Sequence, residues 1–271
     1  MPRITVNGTD IYFEDTGGES QETVVFAHGL LMDLGMFDRQ AEFLRDRYRV
    51  VRYDHRGQGR SARPKVRSID LELLFADAVA LIEHLGVAPC HFAGLSMGGF
   101  VALRLMARRP DLLRSAVLLD TAAGPEPNAA AYRRLNLAVR WLGARPVASR
   151  VLPIMFGRTF LTDPQRAAER EEWRARLAGL DRAIYRAVNG VIERAGVYDE
   201  LNGVTVPALI IVGEEDVATP PSQAERLHGA LAGSRLVRIP GAGHTSTVEA
   251  PDAVNRAIIG FLDDLPRADG G

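Results

Sequence analysis

One cysteine, Cys90, stands in 271 residues, so no disulfide can close within the chain and no cysteine-based metal site can be assembled. Its setting, "PCHFAGL", is apolar and reads as a place for a small buried hydrophobe, not a reactive thiol. An excess of one charge is also missing. With 33 basic and 34 acidic residues the formal net charge is −1, leaving no global field to attract nucleic acid or an anionic membrane. No apolar run reaches the roughly 18 residues of a spanning helix, and the opening "MPRITVNGTD" lacks the apolar stretch of a signal peptide. There is no HExxH or paired-ligand spacing, so no metal is expected. "GQGRS" lacks both the Lys-Ser/Thr of a P-loop and GxGxxG spacing, and reads as a tight loop. Lysine is nearly absent: Lys65 stands alone beside 32 arginines, a bias of coding composition. The expectation is a cytoplasmic protein with no nucleic-acid, membrane or metal partner.

What is present begins with a core. Hydrophobic residues make up 46% and charged residues 25%, the ordinary range of a globular chain. "RITVNGTDIYFED" alternates around Asn7-Gly8, a strong hairpin signal. "TVVFAHG", "RVVRYDHRG", "PCHFAGLS" and "RSAVLLD" read as strands. The helical segments "MFDRQAEFLRDR", "DLELLFADAVALIEHLG" and "MGGFVALRLMARRP" stand between them, the rhythm of a parallel sheet covered on both faces. From Ala122 to about Glu200 the pattern is helical, without an obvious strand; strand and helix alternation then resumes with "PALIIVGEED". The chain therefore reads as an α/β core, 1–121 and 201–271, with a helical cap, 122–200, over the working edge of the sheet. The end, "PRADGG", reads as a frayed tail.

The run "HFAGLSMGGF" places a serine among glycines between a strand and a helix. Gly94-Leu95-Ser96-Met97-Gly98 fits the G-x-S-x-G elbow, in which small residues let the chain pass close on either side of a strained nucleophile. Gly99 would let the helix lie against the sheet. The hydroxyl of Ser96 would then stand at the carboxyl edge of the sheet, above a helix N-terminus that favours negative charge.

A serine nucleophile needs a base, and the base an orienting carboxylate, in the chain order Ser, Asp or Glu, His. His244, in the glycine-rich "GAGHTSTVEAP" after a strand, is the base candidate. His28, at the head of "HGLL", reads as a structural loop residue; His55, His84, His91 and His228 read as solvated or core residues. Two carboxylates qualify. Asp216, in "VGEEDVATPP", is favoured over Asp120 because its strand is adjacent in sequence to the one that carries His244. Asp120 directly precedes the cap, where it would hold the backbone of "TAAG" or bond near the elbow. The backbone N–H groups of Met97, after the nucleophile, and of Leu30, in "HGLL", are the oxyanion-hole candidates.

"HGLLMD", "YDHRGQGRS", "GLSMGG", "VGEEDVATPP" and "GAGHTSTVEAP" follow in the order and spacing of the α/β-hydrolase superfamily, which the whole chain resembles. Within it the sequence is similar to small esterases and 3-oxoadipate enol-lactonase-like hydrolases, which carry a helical cap between the sixth and seventh strands. The resemblance implies a serine hydrolase that needs no cofactor and cleaves a small-molecule ester or lactone. Carbon–carbon bond hydrolases, acyltransferases, perhydrolases and a non-catalytic ligand receptor share the fold and stay open; Ser96 argues against dehalogenase and epoxide-hydrolase chemistry. In the cap, Trp141, Met155, Phe156, Phe160 and Trp173 read as packing between helices. Its thirteen arginines against nine carboxylates give a faint hint of a site for a substrate carboxylate.

Overall fold

A computed structural model describes residues 3–18, 22–63, 66 and 68–266. The tail expected at the end of the chain lies, from 267 on, outside the described residues. Eight strands form one sheet: β1 (Arg3–Val6), β2 (Thr9–Asp15), β3 (Thr23–Ala27), β4 (Arg49–Tyr53), β5 (Cys90–Leu95), β6 (Leu113–Leu119), β7 (Ala208–Gly213) and β8 (Arg235–Ile239). Their spatial order is β1-β2-β4-β3-β5-β6-β7-β8. The β1–β2 hairpin turns at Asn7 and Gly8, both with positive φ (46° and 71°), as the primed turn of a two-residue hairpin requires. From β4 to β8 every pairing is parallel, and β2 joins β4 antiparallel.

Before β6 come the α-helices α1 (Asp38–Leu44), α2 (Leu71–Leu85) and α3 (Met97–Arg108). Between β6 and β7 come α4 (Ala129–Leu142), α5 (Ala148–Met155), α6 (Arg158–Thr162), α7 (Ala167–Ala178) and α8 (Tyr185–Ile192), with no strand. α9 (Pro221–Ala230), α10 (Ser246–Glu249) and α11 (Pro251–Asp263) complete the chain. Local signals set some ends: the Asp70 carboxylate accepts the Leu73 N–H at the start of α2, and Gly86 closes that helix at φ 61°.

Strand residues alternate between two cores. Val25, Ala27, Phe92 and Ile210 pack toward α2, α3 and α9; Val24, Phe26, Leu95 and Ile211 pack toward α1 and α11. Both faces are thus apolar, which explains why the central strands are near-continuous hydrophobic runs. The inserted helices extend both cores: Val139, Ile184 and Val191 join the first, Phe156, Phe160 and Trp173 the second. Cys90 opens β5 fully buried, and burial pushes its thiol up to about 12. Among the described residues no helix is long and apolar enough to cross a membrane.

Candidate active site

The glycines of the elbow are demanded by close approach. A β-carbon at Gly94 would overlap the Gly98 carbonyl, and one at Gly98 would overlap the carbonyl of Ala27 on β3. At Gly99 it would run into the Thr121 side chain. Ser96 turns between β5 and α3 at φ 51° and ψ −107°, a conformation that a residue with a side chain reaches only under constraint. Three bonds hold it there: its N–H donates to Leu119 O at 2.9 Å, and its own carbonyl accepts from Phe100 N and Thr121 Oγ1, each at 2.9 Å.

His244 lies on the loop between β8 and α10, and its Nδ1 is 2.9 Å from Asp216 Oδ2. Asp216, on the loop after β7, is further held by the N–H groups of Ala218 and Thr219 on Oδ1 and by Thr219 Oγ1 on Oδ2, at 2.8–2.9 Å. Asp216 and His244 are both buried, at 3% and 4% exposure, so their interaction is little weakened by water. Burial opposes charge on the imidazole, yet the Asp216 carboxylate, with Asp120 and Glu249 behind it, outweighs that penalty and raises the His244 pKa.

Asp120 does not reach His244 by a hydrogen bond, nor does it hold the "TAAG" backbone. It sits fully buried at φ 44°, and accepts from Gly213 N at 2.8 Å and from Ser246 Oγ at 2.5 Å and N at 3.3 Å. Burial, and then repulsion from Asp216, push its carboxyl well above the usual carboxylate range. It ties the end of β7 to the histidine loop.

Ser96, His244 and Thr219 share the wall of one cavity of about 120 Å³ with Leu30. Met97 opens α3, so its N–H has no acceptor within the helix. The loop around Leu30 is pinned on both sides: Leu31 N donates to Gln58 Oε1 at 3.0 Å, and Gly29 N contacts Met36 Sδ at 3.4 Å. His28, fully buried, donates from Nδ1 to Gly29 O (2.7 Å) and accepts the His55 N–H on Nε2 (2.9 Å), a loop-bracing role. "GQGRS" is a brace as well, through Gln58. Among the described residues no three His, Cys, Asp or Glu side chains are grouped as a metal would need.

Several participants escape sequence reasoning. Thr219 carried a signal, since Asp-x-x-Thr is the spacing of an Asx-type turn. Gln58 and Glu249 carried none. Buried Glu249 accepts from the N–H groups of Gly157 (2.8 Å), Gly243 (3.0 Å) and Thr245 (3.1 Å), fastening the histidine loop to the segment between α5 and α6. In the cap, Phe156 and Phe160 stack at 4.7 Å beside Trp173, as expected of packing residues. Trp141 differs: it is 66% exposed, because it lies on the outer side of α4. Met155 lines the cavity.

Residues 24–257 match the model of the alpha/beta hydrolase family. The chain belongs to that family. The hydrolase is 28% identical over 255 residues to 3-oxoadipate enol-lactonase 2 of Acinetobacter baylyi, covering 94% of each chain. Its structure is similar to that of the enol-lactonase from Burkholderia xenovorans, with a TM-score of 0.90, 31% identity and coverage of 97% of this chain and 100% of that one. A thermophilic esterase from Thermogutta terrifontis gives a TM-score of 0.88 at 31% identity, with 98% and 99% covered. These relatives place the protein among enzymes of the hydrolase class.

Proposed function

We propose that the protein hydrolyses a carboxylic ester or lactone through an acyl-enzyme on Ser96. The observation that carries the reading is the 2.9 Å contact of Asp216 with His244, on the wall of a cavity that His244 shares with Ser96. His244 takes the proton of the Ser96 hydroxyl as the oxygen attacks the acyl carbon. Asp216 holds the imidazole in the tautomer with Nδ1 protonated and stabilises the imidazolium that forms. The N–H groups of Leu30 and Met97 receive the oxyanion, with the N-terminus of α3 adding its dipole. His244 returns the proton to the leaving oxygen, and water, activated in the same way, releases the acid. Residues 122–200 act as the lid that roofs the cavity. Enol-lactonases and an esterase among the relatives support esters and lactones as the substrate class.

The test is Ser96→Ala, assayed with a chromogenic aryl ester and a fluorophosphonate probe. The native enzyme should turn over many equivalents and take the label; the variant should keep its circular dichroism and lose both. Undiminished labelling of the variant overturns the assignment, and single-turnover release by the native protein favours a receptor.

A further inference from the structure

Building on the hydrolytic reading, we infer that the cavity selects short, uncharged, apolar acyl chains and rejects chains that end in a carboxylate. Its volume of about 120 Å³ is close to the roughly 150 Å³ that holds a benzene ring, which suits a chain of about four to six carbons. Beyond Ser96, Glu126, Tyr132, Asn136, Thr219 and His244 the wall is largely aliphatic, much of it from residues 135–154. Among the described residues its one acidic lining residue is Glu126, and no lysine or arginine lines it.

The cap arginine beside the cavity commits Nε and Nη1 to other groups, while its Nη2 is buried without a hydrogen-bond partner. Arg194, with a side chain 2% exposed, donates from Nη1 to Glu126 Oε2 at 2.8 Å, and the Glu126 side chain is itself 5% exposed. The guanidinium also donates to Val191 O (2.9 Å) and Gly124 O (3.1 Å). Its carbon sits 4.2 Å from the centroid of the Phe100 ring, and Phe100 is a wall of the cavity. The pair is therefore neutral as a unit, and its positive member lies against an aromatic ring. A carboxylate entering here would lose its hydration and meet Glu126, whose charge offsets that of Arg194, with Asp216 nearby behind His244. An apolar chain would meet mostly surfaces that gain from leaving water. The enol-lactone of 3-oxoadipate keeps one free carboxylate, so the inference sets this hydrolase apart from relatives that carry that name.

The experiment compares kcat/KM for p-nitrophenyl hexanoate, mono-p-nitrophenyl adipate and p-nitrophenyl methyl adipate on the native enzyme. The charged adipate should be at least about 100-fold poorer than the hexanoate, and masking its charge as the methyl ester should recover at least about tenfold. Glu126→Gln, which leaves the guanidinium without its counter-charge, should narrow the hexanoate-to-adipate ratio about tenfold through KM of the adipate. The double variant Glu126→Gln/Arg194→Met should restore the native preference. Turnover of the charged adipate within about tenfold of the hexanoate overturns the inference, as does a methyl ester no better than the acid, which would make length the cause. Failure of all three esters together with absent fluorophosphonate labelling would instead remove the hydrolytic reading, and the inference with it.

Discussion

Asp216 and Asp120 both stand behind His244, and their surroundings give them different work. Asp216 shares a hydrogen bond with the imidazole, whereas Asp120 is bonded to Gly213 and Ser246. Asp216→Asn should therefore lower kcat by roughly 10²–10⁴, the range the serine-protease triad suggests. It should also move the pH profile. His244 must be neutral to accept a proton, so kcat/KM of the native enzyme should fall as pH drops through a midpoint above about 6.5. With Asp216 neutralised, burial dominates and the midpoint should shift down. Asp120→Asn changes a carboxyl that makes no hydrogen bond to the imidazole, and should cost less than about tenfold, with a smaller downward shift of the midpoint than in Asp216→Asn. Parallel pH–rate profiles of the two variants decide: a larger loss in Asp120→Asn would reverse the roles. Ser96 was legible because an elbow is written in five consecutive residues. Gln58 was not, because its partner Leu31 lies 27 residues away and nothing near either residue announces the contact.

At the scale of elements, the site depends on how closely α3 can approach β3 and β5. Gly98 lies against the backbone of Ala27, so a methyl group there meets a carbonyl that has no room to turn aside. Gly98→Ala should destabilise the protein by at least about 1–3 kcal/mol, seen as a lower urea midpoint or as loss of soluble protein. Gly229→Ala on α9, where a β-carbon meets open space, is the control and should be neutral or slightly stabilising. Equal midpoints for the two would mean that the backbone at the elbow is looser than the contact implies. Strands and helices were readable from their periods of two and 3.6, and the helical insertion between β6 and β7 from its lack of strands. The faces the cap helices present were less so: Trp141, large and apolar, points outward, while the smaller Val139 and Leu135 line the cavity. Side-chain size says that a residue gains from burial; only the tilt of α4 on its neighbours says which side is covered.

Across the whole molecule, buried histidines link stability to pH. His28, His55 and His91 are held neutral, chiefly by burial, with pKa values below the ordinary one. Such groups bind protons more readily in the unfolded chain, so their contribution is present above about pH 6.5 and is lost as pH falls below it. His244 works the other way: with its pKa raised, its contribution is present below about 6.5 and lost as pH rises through the folded value. His55 isolates the first effect, since both ring nitrogens are buried without a partner and the ring packs edge-on against His28 and Tyr53. His55→Phe should flatten the loss of unfolding free energy between pH 7 and 5 by up to about 1.4 kcal/mol per pH unit. Denaturant titrations at both pH values check this, and parallel lines for variant and native protein would exclude His55 as a source.

The sequence by itself determined the alternation of strand and helix, the helical insertion, the elbow at Ser96 and the loops that carry Asp216 and His244. Each of these is a short-range pattern in which backbone conformation, turn chemistry and apolar spacing act within a few residues. The tertiary structure decided which carboxylate meets the imidazole, what Asp120 bonds, how Glu249 fastens the histidine loop to the segment between α5 and α6, and that Arg194 is matched by Glu126. Those outcomes join residues 28 to 126 positions apart, or turn on burial, and both are set only when the sheet and the inserted helices close around them. Charge in water is a property of the side chain; charge in this interior is a property of its neighbours.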